Sequence, residues 1–320
     1  MERLSQQQID RAQGCLFGQL IGDALGSLVE FQHPEQIAQT YPDGVRDMHD
    51  GGTWNTIAGQ PTDDSEMALA LARAICETGS YDQNAARSVY VDWLESGPFD
   101  AGNTVTSGLR GMLNFDSQAN GALMRISPLG IYSVGIDPDL ATRYAREDAW
   151  ITHPHEVTQD ANVLLVLTIA DAIRHVRDAE IAFHDSVHLV SEHGLAELIR
   201  RALEDASNGI KPSFMDHQGW VLIAVQNAWY QLRDATSFEE ALVDTVGSGG
   251  DTDTNAAICG ALLGAVHGLN AIPGRWIDVI ENCAPEAGKP GVNRPRPRVY
   301  WPNDAADLAL RVLETGNGSV

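Results

Sequence analysis

The chain is a 320-residue polypeptide with 44 acidic and 21 basic residues, a formal net charge of −23 and a pI near 4.6. Hydrophobic residues make up 43% of the sequence, which is enough to form a large hydrophobic core without disulfides or structural metal ions. The negative charge argues against binding to nucleic acid or to an anionic membrane, because both polyanions would be repelled.

Apolar residues recur at helical spacing along most of the chain, and no run sustains the two-residue alternation of a half-buried strand. Asp64 is the predicted N-cap of the second helix, and Ser237 with Glu240 forms a capping-box pattern before the eighth. The predicted helices cover residues 9–22, 64–75, 84–94, 140–150, 160–176, 196–206, 220–232, 238–246, a segment from about 255, and 305–313.

The linkers between these helices are short and rich in Gly, Pro and Asp, and no shift in composition marks a domain boundary. Residues 285–302 are rich in Pro and Arg and are predicted to follow an extended path over the surface. We therefore expect one all-α domain of about ten helices over residues 1–320.

Cysteine usage and hydropathy indicate a soluble, cytoplasmic protein. Residues 1–12 are polar and lack the apolar core of a signal peptide, and the longest apolar stretch, 256–266, is too short to span a bilayer. The four cysteines show no CxxC spacing and are predicted to be reduced and buried. They are Cys15, Cys76, Cys259 and Cys283.

Two acidic segments stand out, each at a predicted helix start. They are residues 62–67 (TDDSEM) and residues 247–254 (GSGGDTDT). Each combines two carboxylates with hydroxyls, which are hard oxygen ligands suited to Mg²⁺ or Mn²⁺ and not to Zn²⁺. The glycines of the second segment allow a sharp turn and leave room for a ligand.

Helix capping is the simpler explanation of either segment taken alone, since acidic residues also interact favourably with the helix macrodipole. Four aspartates in two hydroxyl-flanked clusters exceed what capping requires. If the clusters met without cations, their charges would repel strongly, and two cations about 3.5–4 Å apart would resolve that repulsion.

These segments, in this order, resemble the ADP-ribosylglycohydrolase family. The pair TDDSEM and GGDTDT is the most specific part of the resemblance, and Ile272-Pro273 followed by Trp276 is similar to the family's closing helix. The matching segments are residues 18–31 (GQLIGDALGSLVEF), 41–47 (YPDGVRD), 62–72 (TDDSEMALALA), 100–104 (DAGNT), 120–130 (NGALMRISPLG), 152–154 (THP) and 249–268 (GGDTDTNAAICGALLGAVHG).

The resemblance implies a single compact multi-helix orthogonal bundle with a centre of two divalent cations, Mg²⁺ or Mn²⁺, at the base of a cleft. Ser65 and Thr252 depart from the family's commonest residues, Thr and Ala, and neither change removes a ligand. Carried over residue by residue, the metal ligands would be Thr62, Asp63, Asp64, Asp251, Asp253 and Thr254.

Two further acids match catalytic positions of the family. Glu30, at the end of GDALGSLVE, would lie near the metals, although a Glu at a helix end is often only a solvated charge. Asp100, in DAGNT, would act near the scissile bond, although an Asx turn before Gly102 would explain it equally well.

The substrate-binding residues implied by the resemblance are Asn120, Gly121, Met124, His153, Gly249 and Gly250. Backbone amides of the Asn-Gly turn could cradle a diphosphate, and the alternative is a plain turn. His153 could hydrogen-bond the ligand or be an ordinary loop residue. Trp220 could stack at the adenine end or belong to the core.

The activity implied is metal-dependent hydrolysis of the glycosidic bond between ADP-ribose and a modified acceptor. Arginine is the expected acceptor, on a protein or a small molecule, with ADP-ribose as the product, and serine, other side chains and nucleic-acid bases stay open as acceptors. Three alternatives remain open: a hydrolase of phosphate esters or another ADP-ribose derivative, a non-catalytic ADP-ribose-binding protein, and an immunity protein against an ADP-ribosylating toxin.

Overall fold

A computed structural model describes residues 3–318, and within this range it contains helices and two isolated β-bridges but no strand. The all-α prediction is confirmed. The α-helices are α1 (Gln6–Gly26), α2 (Pro34–Thr40), α3 (Asp63–Thr78), α4 (Gln83–Glu95), α5 (Asn103–Leu109), α6 (Ser127–Tyr132), α7 (Pro138–Trp150), α8 (Glu156–His175), α9 (Ala179–Glu192), α10 (Glu197–Ser207), α11 (Val221–Asp234), α12 (Phe238–Gly247), α13 (Thr252–His267), α14 (Gly274–Asn282) and α15 (Ala305–Asn317). Short 3₁₀ turns cover Leu123–Arg125, Ser133–Gly135, Leu269–Ala271 and Arg298–Tyr300.

Helices α1 and α13 form the central pair of the bundle and run antiparallel. Every residue of α13 from Thr252 to Val266 is buried, as is every residue of α1 from Gly14 to Gly26. Helices α3, α6, α8, α11, α12 and α15 pack around this pair. A helix that is apolar on all sides is expected only at the centre of a large domain.

The two central helices approach so closely that their backbones touch through glycines. A Cβ added at Gly18 would lie 2.0 Å from the carbonyl oxygen of Gly260, and one at Gly264 would lie 2.0 Å from that of Gly14. At Gly22 the nearest atom would be the carbonyl oxygen of Ala256, at 2.1 Å. No larger side chain fits these positions, so the spacing of the glycines fixes how the helices align.

The packing of α1 against α13 explains why the predicted end of the first helix was wrong. The first helix was predicted to end at Gly22, whereas α1 continues to Gly26. The glycines here are packing positions rather than helix stops, because burial against α13 outweighs their poor helix propensity.

The predicted helix starts also needed correction. Asp64 is not an N-cap, because α3 begins at Asp63 with Thr62 in the cap position, and α13 begins at Thr252 rather than near residue 255. Ser237 does accept a hydrogen bond from the backbone N–H of Glu240. The Glu240 carboxylate, however, accepts from Arg46 instead of completing the capping box.

About ten helices were predicted, and the difference lies mainly in short ones. Helices α2, α5 and α6 have six or seven residues each, which is fewer than two turns and too short to show a periodic pattern. Helix α9 was not predicted, and α14, which contains Trp276, was expected only from the resemblance to the family's closing helix. No helix within residues 3–318 combines the length and the apolar character needed to cross a membrane.

The chain from residue 285 to 302 lies mostly on the surface, as predicted, and a buried arginine holds it in place. Arg296 is buried, and its guanidinium donates to both carboxylate oxygens of Glu66 at 2.8–3.1 Å. It also donates to the hydroxyl of Ser96, while Trp93 donates its indole N–H to Glu66. Glu66, within the first acidic segment, therefore anchors this stretch of chain to α3 and does not face the cleft.

We predict that Gly18→Ala lowers the free energy of unfolding by about 2 kcal/mol or more, because the methyl group must push two backbones apart. This loss exceeds the gain of about 1 kcal/mol in helix propensity from Gly to Ala. The matched control is Gly247→Ala, at the end of α12, where an added Cβ meets no atom within 4 Å. Equal stability of Gly18→Ala and wild type in urea unfolding would contradict the packing argument.

Replacing Arg296 by Met should cost about 3–5 kcal/mol of unfolding free energy, because Glu66 would be left buried without its cation. Arg298→Met removes an exposed charge from the same stretch and should change stability little. Adding Glu66→Gln to Arg296→Met should recover part of the loss. A double variant no more stable than Arg296→Met would show that the pair is not coupled.

Candidate active site

A cleft of about 300 Å³ opens where the N-termini of α3 and α13 meet the segment that follows α1. Both acidic segments reach it, so residues almost two hundred positions apart share one site. Of the residues proposed from the sequence, eleven line the cleft: Glu30, Asp63, Asp64, Asp100, Asn120, Gly121, Met124, His153, Asp251, Asp253 and Thr254.

The antiparallel packing of α1 and α13 brings the segment after α1 close to the second acidic segment. The C-terminal end of α1 leads to Glu30, and the first turn of α13 carries Asp253 and Thr254. An added Cβ at Gly26 would lie 2.4 Å from the Cα of Asp253, so the two ends are in backbone contact. Close packing of α1 and α13 thereby joins one half of the site to the other.

Three carboxylates form the tightest group. Glu30, Asp251 and Asp253 each offer an oxygen atom within 4.8 Å of those of the other two, and all three residues are buried. A set of three hard oxygen donors at this separation suits a divalent cation such as Mg²⁺ or Mn²⁺. Glu30 thus stands among the candidate ligands, whereas the sequence suggested only an acid–base role.

The acidic side chains of the cleft have strongly altered proton affinities. Burial, followed by repulsion from Asp100, raises the pKa of Glu30 to about 8, and burial raises that of Asp100 to about 6. The pKa values of Asp63, Asp64 and Asp253 lie well above the ordinary range, first because of burial and then because of the neighbouring carboxylates. Such a cluster is costly for the protein unless positive charge is supplied.

Two carboxylate oxygens without a hydrogen-bond donor also indicate that this site requires positive charge. Oδ1 of Asp64 and Oδ2 of Asp253 are buried and have no hydrogen-bond donor among the described residues. Buried polar atoms are nearly always paired in folded proteins, and a carboxylate oxygen can be paired by a cation as well as by a donor. Donor chemistry and orphaned oxygens therefore both fit divalent cations at this end of the cleft.

Neutral groups hold the carboxylates in place. The indole N–H of Trp54 donates to Oε2 of Glu30 at 2.5 Å, and the amide of Asn120 donates to Oδ2 of Asp251 at 2.7 Å. The backbone N–H of Gly102 donates to Asp63 at 3.3 Å. Neither Thr62 nor Asp251 caps its helix with its side chain, so capping does not account for either acidic segment.

Asp23 is an important residue to which the sequence analysis gave no role. It is fully buried and accepts from the backbone N–H groups of Thr62 and Ser65 and from the hydroxyl of Thr62. Burial raises its pKa to about 7. Its position in the matching segment GDALGS is the only signal that could have revealed it.

Thr62, Gly249 and Gly250 lie behind the cleft surface rather than on it. The hydroxyl of Thr62 is within hydrogen-bond distance of both Asp23 and Asp64. Gly249 and Gly250 both have φ of 74°, and Gly250 exchanges backbone hydrogen bonds with Phe31 and Gln32. These glycines tie the loop before α13 to the segment after α1.

His153 lies at the other end of the cleft, in a chain of buried hydrogen bonds. Arg125 donates to the hydroxyl of Thr152 at 2.9 Å, and that hydroxyl lies 2.7 Å from Nδ1 of His153. Nε2 of His153 has no partner among the described residues. Burial, and then the charge of Arg125, lowers the pKa of His153 to about 3, so the ring is neutral at physiological pH.

Trp220 is half-buried and does not line this cleft. Its indole N–H donates to the side chain of Gln118, and its ring borders two neighbouring depressions. One of these depressions shares Ala119, Gln218 and Gly219 with the cleft, so the stacking role at the adenine end stays a prediction.

Comparison with known proteins gives a consistent result. A family model described as ADP-ribosylglycohydrolase matches residues 4–314. The ADP-ribosyl-[dinitrogen reductase] glycohydrolase of Rhodospirillum rubrum is 30% identical over 285 residues, which cover 85% of this chain and 90% of that protein. The ADP-ribosylarginine hydrolase Tri1 of Pseudomonas putida is 25% identical over 300 residues, covering 86% of this chain and 75% of the relative.

A solved structure described as an ADP-ribosylglycohydrolase-related protein complex has the same fold. It superposes with a TM-score of 0.78 at 25% identity, covering 98% of this chain and all of the matched chain. The helical architecture, the acidic cleft and these similarities over nearly the whole length show that the chain belongs to the ADP-ribosylglycohydrolase family.

Proposed function

We propose that the chain hydrolyses the N-glycosidic bond between ADP-ribose and the arginine side chain of a modified protein, releasing ADP-ribose. The observation that carries this proposal is the convergence of six carboxylates from four segments in one buried cleft. Family membership supports an ADP-ribosyl linkage as the target, and arginine is the acceptor in the name of the Pseudomonas putida relative.

We propose that the cleft binds two divalent cations, Mg²⁺ or Mn²⁺. Their ligands would be drawn from Thr62, Asp63, Asp64, Asp251, Asp253 and Thr254, together with Glu30, whose carboxylate lies with those of Asp251 and Asp253. When bound, the cations would supply positive charge for ribose hydroxyls and for a hydrolytic water.

Two acids, Glu30 beside the cations and Asp100, are also placed to act at the bond that breaks. The leaving of the acceptor creates positive charge at the anomeric carbon, which the nearby carboxylates stabilise. Glu30 is held by Trp54 in a fixed orientation, and Asp100 lies on the loop before α5, against Asp63. These two residues are the candidates for orienting the water and for passing a proton to the leaving group.

At the opposite end, His153 is assigned as a hydrogen-bond donor to the ligand. Because the hydroxyl of Thr152 accepts from Arg125, its own hydrogen is available for Nδ1 of His153. A neutral imidazole that accepts at Nδ1 carries its proton on Nε2, the atom beside Gly121. This N–H would face a phosphate or ribose oxygen, together with the turn of Asn120, Gly121 and Met124.

The decisive experiment is release of ADP-ribose from ADP-ribosyl-arginine in the presence of Mg²⁺ or Mn²⁺. Asp253→Asn should lower kcat/KM by about 100-fold or more, since it removes a charged ligand without changing side-chain size. The matched control is Asp82→Asn, which removes one charge from the start of α4 where Asn still caps well. In chelator, Asp253→Asn should unfold no more easily than wild type, because it relieves repulsion among buried carboxylates.

Full activity in Asp253→Asn or in excess chelator would refute the proposed centre. Release of inorganic phosphate in place of ADP-ribose would favour a phosphate-ester hydrolase, and binding of ADP-ribose without turnover on any acceptor would favour a binding protein. Either result would leave the family assignment intact and overturn the proposed reaction.

His153→Phe should weaken substrate binding by about tenfold or more, because a buried N–H donor to a charged or polar ligand oxygen is lost. His153→Gln keeps an N–H donor and should retain more of the affinity. The measurement is KM for ADP-ribosyl-arginine together with the Kd for ADP-ribose. If His153→Phe binds ADP-ribose as wild type does, the ring is a packing residue only.

A further inference from the structure

A pair of histidines on α9, far from the cleft, has the geometry of a metal chelate. Nε2 of His184 lies 3.2 Å from Nε2 of His188, and the two ring planes are 69° apart. Two nitrogens bound to one cation at about 2.0–2.1 Å lie about 2.9 Å apart at a right angle and about 3.4 Å apart at a tetrahedral angle. The observed separation falls between these two values.

The helix presents this pair to solvent. Ala182, Ser186 and Val190 form the buried face of α9, and the hydroxyl of Ser186 accepts from the indole of Trp229 on α11. His184 and His188 lie on the opposite face and are exposed, with 70% of the His184 side chain accessible. A spacing of four residues places both rings on the same side of the helix, one turn apart.

Acidic residues surround the pair. Glu180 and Glu192 continue the same four-residue spacing, one turn before His184 and one turn after His188, and both are exposed. Asp185 has an oxygen 3.5 Å from Nδ1 of His184, and its other oxygen is held by Arg177 at 3.3 Å. A carboxylate next to the distal nitrogen orients an imidazole toward a metal and strengthens it as a ligand.

We propose that His184 and His188 chelate a late first-row transition-metal ion, of the class of Zn²⁺, Ni²⁺ or Cu²⁺, through their Nε2 atoms. Imidazole nitrogen favours these ions over Mg²⁺ and Mn²⁺, which favour the oxygen ligands of the cleft. Water completes the coordination, and the flanking carboxylates add negative charge near the cation. The site is therefore chemically distinct from the acidic cleft, to which α9 contributes no lining residue in the described chain.

The test is equilibrium dialysis of the full chain against Ni²⁺ in excess Mg²⁺, which occupies hard oxygen sites. His184→Gln and His188→Gln should each weaken the binding of one Ni²⁺ equivalent by about tenfold or more. His175→Gln removes another exposed histidine, at the end of α8, and should bind as wild type does. Any Ni²⁺ that enters the cleft contributes equally to all four proteins, so the difference reports the histidine pair.

A second measurement is made on the wild-type chain and uses the two variants only to assign signals. Substoichiometric Cu²⁺ should broaden the ring signals of two of the ten histidines before the others, and these should be the signals lost in His184→Gln and His188→Gln. Hydrolysis supported by Mg²⁺ should be unchanged in both variants. Unaltered Ni²⁺ binding in both, or uniform broadening by Cu²⁺, would overturn the proposal and leave the pair as a hydrogen-bonded contact.

Discussion

The contact between the backbones of α1 and α13 is the constraint on which the rest of the structure depends. Side chains can change rotamer to accommodate a neighbour, but a carbonyl oxygen about 2 Å from the Cβ position of Gly18 leaves only glycine as a solution. Contacts at Gly14, Gly18, Gly22 and Gly26 follow a four-residue period, so they all lie on one face of α1. If either helix shifted along its axis, larger side chains would clash at these contacts. The helices are therefore fixed in one alignment, in which Asp253 lies next to the segment that carries Glu30.

Alignment of this kind brings like charges together, and the protein does little to neutralise them. No Lys or Arg is among the described residues that line the cleft. The two buried arginines are committed elsewhere, Arg125 to Asp148 and Arg296 to Glu66. The donors that reach the cleft acids are neutral, and they include an indole, an amide, a hydroxyl and backbone N–H groups. They fix the orientation of the carboxylates without cancelling their charge, which leaves a site pre-organised for cations.

A feature of the fold or of the site could be predicted from the sequence when it depends on residues that are close together in the chain, and not when it depends on contacts between distant residues. Helical periodicity identified most of the long helices, and the two acidic segments identified four of the six carboxylates that line the cleft, because both signals are local. The approach of Gly18 to Gly260 is not local, and so the helix was predicted to end at Gly22. Asp23 and Arg296 were missed for the same reason: their importance comes from partners about forty and 230 residues away, Thr62 and Glu66. Gly249 and Gly250 looked like ligand-facing glycines, whereas their backbone holds the segment after α1.

The polarity of the cleft also accounts for how so acidic a chain can accept a ligand that carries a diphosphate. The carboxylates occupy one end and His153 lies at the other, and the turn between them joins the two, since Asn120 donates to Asp251 and Gly121 lies beside His153. Because the pKa of His153 is held at about 3, this end presents a neutral donor and no charge of either sign. A phosphate placed there would meet an N–H group in a buried setting, where a hydrogen bond is stronger than in water. Cations bound by the carboxylates would offset most of the negative charge at that end, so the net charge of the surface would repel bulk polyanions without preventing a small anionic ligand from binding in the cleft.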